Sequence, residues 1–221
     1  FETGLKFRHR EIPTNMRFFF FFYSVIDADA GGWATYKEII PAVYSNFTYE
    51  TNKIEAELGL RVEYVDLQYD VNPNHPTYKS DGYHYTEPFP NLRFGYKIND
   101  ENKLTAFYNR RVDRPNEVDI RIFPKYDDAE IIKVGNPGLR PQFTNTFEVG
   151  YKRNFDKGYF TASGYYKIID GTITRIATTV PGDNLIYNVF QNADKSNSVG
   201  VEVIFSKEMN SWYSFNLNGN L

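Results

Sequence analysis

Strict alternation of apolar and polar residues is the feature that most limits how this chain can fold. In the segment EAELGLRVEY, residues 55–64, every even position is apolar, whereas the odd positions are charged or glycine. Because successive side chains of a β-strand point to opposite faces, this period of two predicts a strand with one apolar face and one polar face. Its length exceeds the usual strand of about five or six residues in globular proteins.

The same alternation recurs through the chain. It is clear in residues 91–98 and 143–153, where Asn145 is the one polar residue on the apolar side, and weaker in 103–111, 159–168, 198–206 and 212–221. Helix breakers or β-branched residues interrupt each window that could form an amphipathic helix. The sequence therefore predicts an all-β protein with about nine strands.

The connections between the predicted strands alternate in length. Short polar turns fall at residues 51–53, 99–102, 154–158 and 207–211, and between them lie the long connections 70–88, 112–141 and 170–197. Consecutive antiparallel strands joined in this way form an up-and-down meander. All the tight turns are then expected at one end of the sheet.

Two architectures fit an antiparallel meander of this kind. A soluble β-sandwich binding module usually has shorter strands, whereas a transmembrane β-barrel needs strands of about 9 to 11 residues, short turns at one end, long loops at the other and aromatic residues at both interfaces. Aromatic residues near the predicted strand ends are Tyr49, Tyr64, Tyr69, Tyr85, Tyr96, Tyr108, Tyr151, Tyr159, Trp212 and Tyr213. The pattern favours an antiparallel up-and-down transmembrane β-barrel and leaves the sandwich as an alternative.

Composition excludes several other classes of protein. The chain contains no cysteine, which rules out a disulfide scaffold and a thiolate metal site. Its net charge of −3, with both signs interspersed, argues against a nucleic-acid partner. No run of about 18 apolar residues predicts a transmembrane helix. No cofactor is expected.

Two sequence blocks carry a resemblance to a known family. They are YNRRVDRPNEVDI, beginning at Tyr108, and GNPGLRPQFTNTFEVGYKR, beginning at Gly135. Together they resemble the C-terminal part of the barrel of a TonB-dependent outer-membrane receptor, in the form common among Bacteroidota. The motif residues that carry this resemblance are Asn136, Pro137, Arg140, Pro141 and Glu148.

The resemblance implies a 22-stranded barrel in the bacterial outer membrane, filled by an N-terminal plug. Such a receptor imports a bulky nutrient, such as a metal chelate, an oligosaccharide or a peptide, with energy supplied by the TonB complex acting through the plug. Outer-membrane lipid is then a partner, and a surface lipoprotein lid is another. Residues 1–221 are expected to form part of a single barrel domain, with the plug and the barrel ends outside this sequence. A barrel with a structural or secretion role, without energised import, is the alternative.

Arginines alternate with acids at the start of the longest connection. Arg111, Arg114 and Arg121 are candidate ligand-binding residues, because a guanidinium group can hold a carboxylate or phosphate with two parallel hydrogen bonds. The neighbouring Asp113 and Asp119 can satisfy the same groups, which favours a role in pinning the loop. Both roles stay open from the sequence alone.

The motif Gly135–Pro141 is interpreted as architectural. Gly135 permits a turn, and each proline stiffens the chain and biases the residue before it toward extended geometry. The sequence therefore predicts a rigid lead-in that fixes the register of the strand beginning near Phe143. A shift by one residue would turn Phe147 and Val149 toward the lumen.

The remaining chemical groups give no prediction of catalysis or metal binding. His75 and His84 lack the spacing of a metal site, Asp27 and Asp29 lack the closing glutamate of a calcium loop, and Asp127 and Asp128 fit a solvated turn. We therefore predict that the chain is not an enzyme. The run Phe18–Phe22 is expected to pack as a loop or strand rather than to touch a ligand.

Overall fold

The computed structural model describes residues 1–17, 31–75, 78–126, 131–179 and 186–221. The predictions for Phe18–Phe22, for Asp27 and Asp29, and for Asp127 and Asp128 lie outside these ranges. The strands are β1 (Glu2–Met16), β2 (Gly32–Glu50), β3 (Ile54–Val71), β4 (Asp81–Lys97), β5 (Asn102–Asp113), β6 (Lys125–Tyr126), β7 (Ile131–Val134), β8 (Gln142–Phe155), β9 (Gly158–Asp170), β10 (Ile173–Thr179), β11 (Ile186–Asn192), β12 (Lys195–Asn210) and β13 (Tyr213–Asn220), and the helix is α1 (Glu117–Ile120).

Nine long strands form one antiparallel sheet in the order β1-β2-β3-β4-β5-β8-β9-β12-β13. The four tight connections, β2–β3, β4–β5, β8–β9 and β12–β13, all lie at one end, and the long connections lie at the other. This up-and-down meander confirms the predicted all-β fold, the predicted number of long strands and the position of the short turns.

One face of the sheet is apolar and exposed. Six residues align across six strands on this face, in the order Leu58, Leu92, Tyr108, Phe147, Tyr166 and Val199. On β2 the same face runs from Ile39 to Tyr49, which is about 33 Å along a strand and about 25 Å of height at the usual barrel tilt. That height matches the apolar band of an outer-membrane barrel, so we call this the lipid face and the opposite face the lumen face.

Near the outer end of β3 the apolar residues lie on the opposite face of the sheet. Val65, Leu67, Tyr69 and Val71 lie on the lumen face together with Glu63, yet all four are almost completely buried. The apolar residues of β3 therefore change face after Tyr64. The lumen face is polar at the level of the bilayer and apolar above it.

A hydrophobic core covers this outer part of the lumen face. It joins residues of β2 and β3 to residues of the long connection between β5 and β8. Its buried members are Ala34, Tyr36, Leu67, Tyr69, Val71, Ile120, Ile122, Phe123 and Leu139. The connection is therefore packed against the inside of the wall.

A second, four-stranded sheet lies within the long connections, in the order β10-β11-β7-β6. Strands β7 and β11 come from different connections and pair in parallel, with Val134 opposite Val189. Together with α1 and residues 114–126, 131–141, 171–179 and 186–192, this sheet forms a unit that we call the cap. The sequence predicted only loops here, because strands of two to seven residues give little periodicity.

Strand β8 departs from the predicted alternation at its outer end. Phe147 and Val149 are exposed on the lipid face as expected. Phe143, which has the same parity, packs against Tyr85 and Phe89 of β4, with ring centroids 5.5 and 6.4 Å away. Pairing between β4 and β5 ends at Asn91 and Asn109, so the outer part of β4 is free to receive this ring.

Candidate functional site

The motif GNPGLRP lies at the centre of the cap, where it joins the two long connections. The Asn136 side-chain amide donates to the carbonyl of Phe190 in β11 at 3.0 Å. Its side-chain oxygen accepts the Gly138 N–H at 2.9 Å, and its own backbone N–H donates to the Asp119 carbonyl at 2.8 Å. One asparagine thus connects α1, the motif turn and β11.

Gly135 is required by the close approach of another backbone segment. Its N–H donates to the Arg121 carbonyl at 2.9 Å. A Cβ atom at this position would lie 2.5 Å from both the backbone nitrogen and the backbone oxygen of Arg121. Neither backbone atom can move without disturbing the turn after α1, so only glycine fits.

Arg140 fastens the cap to the barrel wall. Its guanidinium group donates to both carboxylate oxygens of Asp81 in β4, each at 3.1 Å. Its backbone N–H donates to Asn192 Oδ1 at 2.8 Å, and Asn192 Nδ2 donates to the carbonyls of Arg140 and Gly171 at 2.9 and 2.8 Å. Gly171 has a positive φ of 69° and begins the bend from β9 into β10. Pro137, Leu139 and Pro141 are buried between these contacts.

The fifth motif residue, Glu148, lies apart from the cap. It is on the lumen face of β8, opposite Phe107 of β5 and Tyr165 of β9. It therefore lies in the barrel wall at the level of the bilayer, about seven residues along the chain from the motif turn.

The three candidate ligand-binding arginines have separate partners. Arg114 pairs with Glu63 of β3 and donates to the Tyr85 hydroxyl at 2.8 Å. Arg121 makes two hydrogen bonds to Glu117, at 2.8 and 2.5 Å, and these bonds raise its pKa. Both side chains hold cap segments in place.

Arg111 differs from the other two candidates. Its side chain is 61% exposed, and the nearest carboxylate oxygen among the described residues, of Asp113, is 3.8 Å away. It lines a cavity on the lumen face together with Lys6 and Arg61. Of the three predicted arginines, this is the one whose guanidinium group is open to a ligand.

Arginines stack on aromatic rings in a line that follows β4 inward from the cap. The pairs are Arg140 over Tyr83 (5.5 Å), Arg114 over Tyr85 (6.0 Å), Arg110 over Phe143 (5.1 Å) and Arg61 over Phe89 (5.2 Å). Neighbouring rings are also in contact, at 5.5 to 6.4 Å between centroids. We call this line the arginine–aromatic ladder. It connects the cap to the middle of the lumen face.

A charged cluster on β1 and β2 was missed from the sequence. Glu38 is completely buried, and its carboxylate accepts hydrogen bonds from Arg8 and Arg10, the shortest at 2.7 Å from each. Arg10 also donates to the Tyr36 hydroxyl at 3.1 Å. In the sequence the cluster is indicated only by the two arginines of RHR, residues 8–10, which share one face of β1. It forms because β1 lies beside β2.

His75 and His84 lie in different surroundings. His75 Nδ1 accepts the Tyr78 N–H at 3.1 Å, and burial lowers the pKa of His75 and raises that of Tyr78. His84 lies opposite Asp66 on the other face of β4 from Tyr83. Among the described residues, no group of three or more His, Asp or Glu side chains could hold a metal ion. In the same part of the chain, no helix is both long and apolar enough to cross a bilayer.

A sheet with an apolar band about 25 Å high, a charged lumen face and tight turns at one end is the wall of a bacterial outer-membrane β-barrel. The chain belongs to the Outer membrane protein beta-barrel family, because a model of that family matches residues 1–221. It is therefore located in the bacterial outer membrane, and the soluble sandwich is excluded.

Solved structures with the same fold include three receptors or transporters. The copper transporter OprC is 16% identical, with a TM-score of 0.66 over 99% of this chain and 35% of its own. The siderophore receptor PirA from Pseudomonas aeruginosa is 13% identical, with a TM-score of 0.56 over 86% of this chain and 43% of its own. The ferric yersiniabactin uptake receptor FyuA from Yersinia pestis is 14% identical, with a TM-score of 0.59 over 86% of this chain and 27% of its own.

At these identities the likeness establishes the fold alone. The chain spans less than half the length of each of the three structures. No curated protein matches the sequence significantly. The family and the fold confirm the resemblance to receptor barrels that the sequence indicated.

Proposed function

We propose that this chain forms part of the wall and the outer cap of a receptor that imports a bulky nutrient across the outer membrane with energy from TonB. The observation that carries the proposal is the cap itself. Two connections are joined through β7 and β11 and packed onto the lumen face. An ordered unit packed on the lumen face of the wall suits selective capture better than passive diffusion.

The open edges of the sheet support a larger barrel. Strands β1 and β13 are the two ends of the nine-stranded sheet. Unpaired backbone groups at a sheet edge are costly in lipid, so transmembrane sheets close into barrels. We infer that further strands complete the wall and that a plug domain fills the lumen, where it would also provide the contact with TonB.

A metal chelate, an oligosaccharide and a peptide are all compatible substrates. The similar structures are named as a siderophore receptor, a copper transporter and a ferric yersiniabactin uptake receptor, and these names support a metal or metal chelate over the other two classes. A surface lipoprotein that binds over the cap is a further proposed partner. Catalysis has no role in this proposal.

Uptake by cells that express the full-length receptor tests the proposal. Ferric chelates, copper, oligosaccharides and peptides are offered to cells with and without the receptor, in backgrounds with and without TonB. We expect one class to enter only when both proteins are present. Entry that depends on the receptor but persists without TonB would support the structural or secretion alternative instead.

The role of the cap is tested by Asn192→Ala, which removes three hydrogen bonds between β11, the motif turn and Gly171. We expect weaker ligand binding and slower uptake at unchanged abundance in the membrane. Asn216→Ala on β13 is the matched control, because among the described residues the Asn216 side chain bonds only Ser206, on the lumen face. Equal uptake by the two variants would argue against capture by the cap.

A further inference from the structure

A cavity of about 450 Å³ opens on the lumen face below the cap, at the end of the arginine–aromatic ladder. It extends across β1 to β5, and its volume is within the range of small-molecule sites. Four cationic side chains line it, namely Lys6, Arg61, Arg110 and Arg111, against one carboxylate, Glu57. We call this cavity the cationic niche.

Neighbouring carboxylates leave part of this positive charge unpaired. Arg110 is paired with Glu87 at 2.7 Å, and Arg61 lies 3.1 Å from Glu63. Among the residues that the structure describes, Lys6 makes no ion pair, and the nearest carboxylate oxygen to Arg111 is 3.8 Å away. Lys6 and Arg111, at the two ends of the niche, are therefore available to an anion.

The two central arginines are fixed before any ligand arrives. Arg61 stacks on Phe89 and Arg110 on Phe143, and these two rings lie 6.4 Å apart. A stacked guanidinium group loses little side-chain entropy when it binds a carboxylate or phosphate. The arrangement is therefore preorganised for an anion.

The floor of the niche has both space and polar groups. At Gly59 a Cβ atom would lie 3.3 Å from Asn46 Oδ1 and from the Asn91 carbonyl, so the missing side chain forms the recess. Asn91 and Asn109 face each other across β4 and β5. Asn46 Oδ1 is buried and accepts no hydrogen bond from the described residues. These amides can bind the hydroxyl or amide groups that accompany the charges of a ligand.

We propose that the cationic niche binds an extended anion that carries two or more carboxylate or phosphate groups. The cations are spread over four strand spacings, about 19 Å in the sheet, which favours a chain of charges over a compact ion. The inference rests on the proposed function in one respect, namely that the lumen face lines the import path. The anion is either the imported nutrient or an acidic segment of the receptor's own plug.

The test uses the full-length receptor in detergent, with tripolyphosphate as the extended probe and inorganic phosphate as the compact one. The double variant Lys6→Gln/Arg111→Gln removes the two cations that lack close partners, so its folding is expected to be preserved. The control Lys53→Gln/Arg153→Gln removes two positive charges near tight turns and outside the niche. Calorimetry measures probe binding, and a thermal scan without probe measures stability.

We expect tripolyphosphate to bind the wild-type receptor more tightly than phosphate does. Its affinity for the niche variant should be at least about tenfold lower than for the wild type, and its affinity for the control variant should be unchanged. If an acidic plug segment already fills the niche, the wild type binds no probe and the niche variant melts below the control. Equal binding by both variants, or no binding together with equal melting, would overturn the proposal. Because the binding and melting measurements do not depend on uptake, a failure of the import proposal would not change their outcome.

Discussion

The two halves of the nine-stranded sheet have the same lipid face but different lumen faces. In β1–β5 the lumen face carries arginines, glutamates and aromatic residues, and its outer part is buried under the cap. In β8, β9, β12 and β13 it carries mostly small neutral side chains. Examples are Thr146, Thr161, Ser163, Ser198, Ser206, Asn216 and Asn218.

The difference separates what the bilayer imposes from what the function requires. Lipid demands the same apolar surface from every strand, which explains why Leu58 in the first half and Leu217 in the second are equally exposed, at 50% and 55%. The lumen imposes no such uniformity. The cap packs on the first half, which also carries the cationic niche and most of the ladder, so specificity is expected to depend on β1–β5 and general wall properties on β8, β9, β12 and β13.

The largest expected effect is loss of the cap. Leu139 is completely buried between the motif turn and the wall. Leu139→Ala should destabilise the cap by about 2 to 5 kcal/mol, as for other buried leucines. Hydrogen exchange should show loss of protection in residues 117–123 and 186–192, while the long strands stay protected.

Leu217→Ala is the matched control in the other half. Its side chain faces lipid or detergent, so no packed cavity forms and protection of the cap should not change. Loss of protection in β8, β9, β12 and β13 on Leu139→Ala would show that the two halves do not behave as separate units.

The same contrast explains which parts of the structure could be predicted from the sequence. The lipid face could be read from residues 55–64, because a continuous solvent boundary imposes a strict period on the sequence. The cap could not, since β7 and β11 are paired only through long-range contacts between segments about 50 residues apart. Asn116 and Asp119, whose spacing forms the capping box of α1, were a local signal that could have been used.

The candidate site shows the same limit. The motif residues Asn136 and Arg140 were recognised, but their partners Phe190, Asn192 and Asp81 come from distant positions in the sequence. Lys6 and Arg61 were not predicted as site residues, because their common cavity exists only after five strands have assembled.

The second expected effect tests the lipid face with neighbouring residues of β12. Val201 lies on the lipid face and Glu202 on the lumen face. Val201→Arg should cost about 2 to 4 kcal/mol, because it places a charge within the apolar band. Glu202→Arg should cost much less, since the lumen already holds charged groups. Urea titration of the folded barrel in lipid vesicles, followed by its migration on unheated gels, measures both.

Equal destabilisation by the two substitutions would contradict the assignment of faces in the second half. The same pair also distinguishes a membrane wall from a soluble one in a direct measurement on the protein.

The third expected effect contrasts two glycines. Gly135→Ala forces a Cβ atom to within 2.5 Å of the Arg121 backbone, whereas a Cβ at Gly219 meets nothing within 4 Å. We expect Gly135→Ala to destabilise the cap by about 1 to 3 kcal/mol, typical of overpacking. Gly219→Ala should be neutral or slightly stabilising, because glycine weakens a strand. Hydrogen-exchange protection of residues 117–123, compared between the two variants, tests the close approach of Gly135 to the Arg121 backbone.

The smallest expected effect is a pH dependence of the connection between β3 and β4. Burial lowers the pKa of His75 below its value in the unfolded chain, so the folded state binds fewer protons than the unfolded state as the pH falls through about 6.5. Stability of this connection should therefore be complete at neutral pH and should decrease toward pH 5. Protonation would also remove the acceptor for the Tyr78 N–H. Hydrogen exchange of residues 78–80 should accelerate at low pH in the wild type, after correction for the intrinsic rate, and His75→Gln should abolish that dependence. If the acceleration persists in His75→Gln, a group other than His75 controls the pH dependence of this connection.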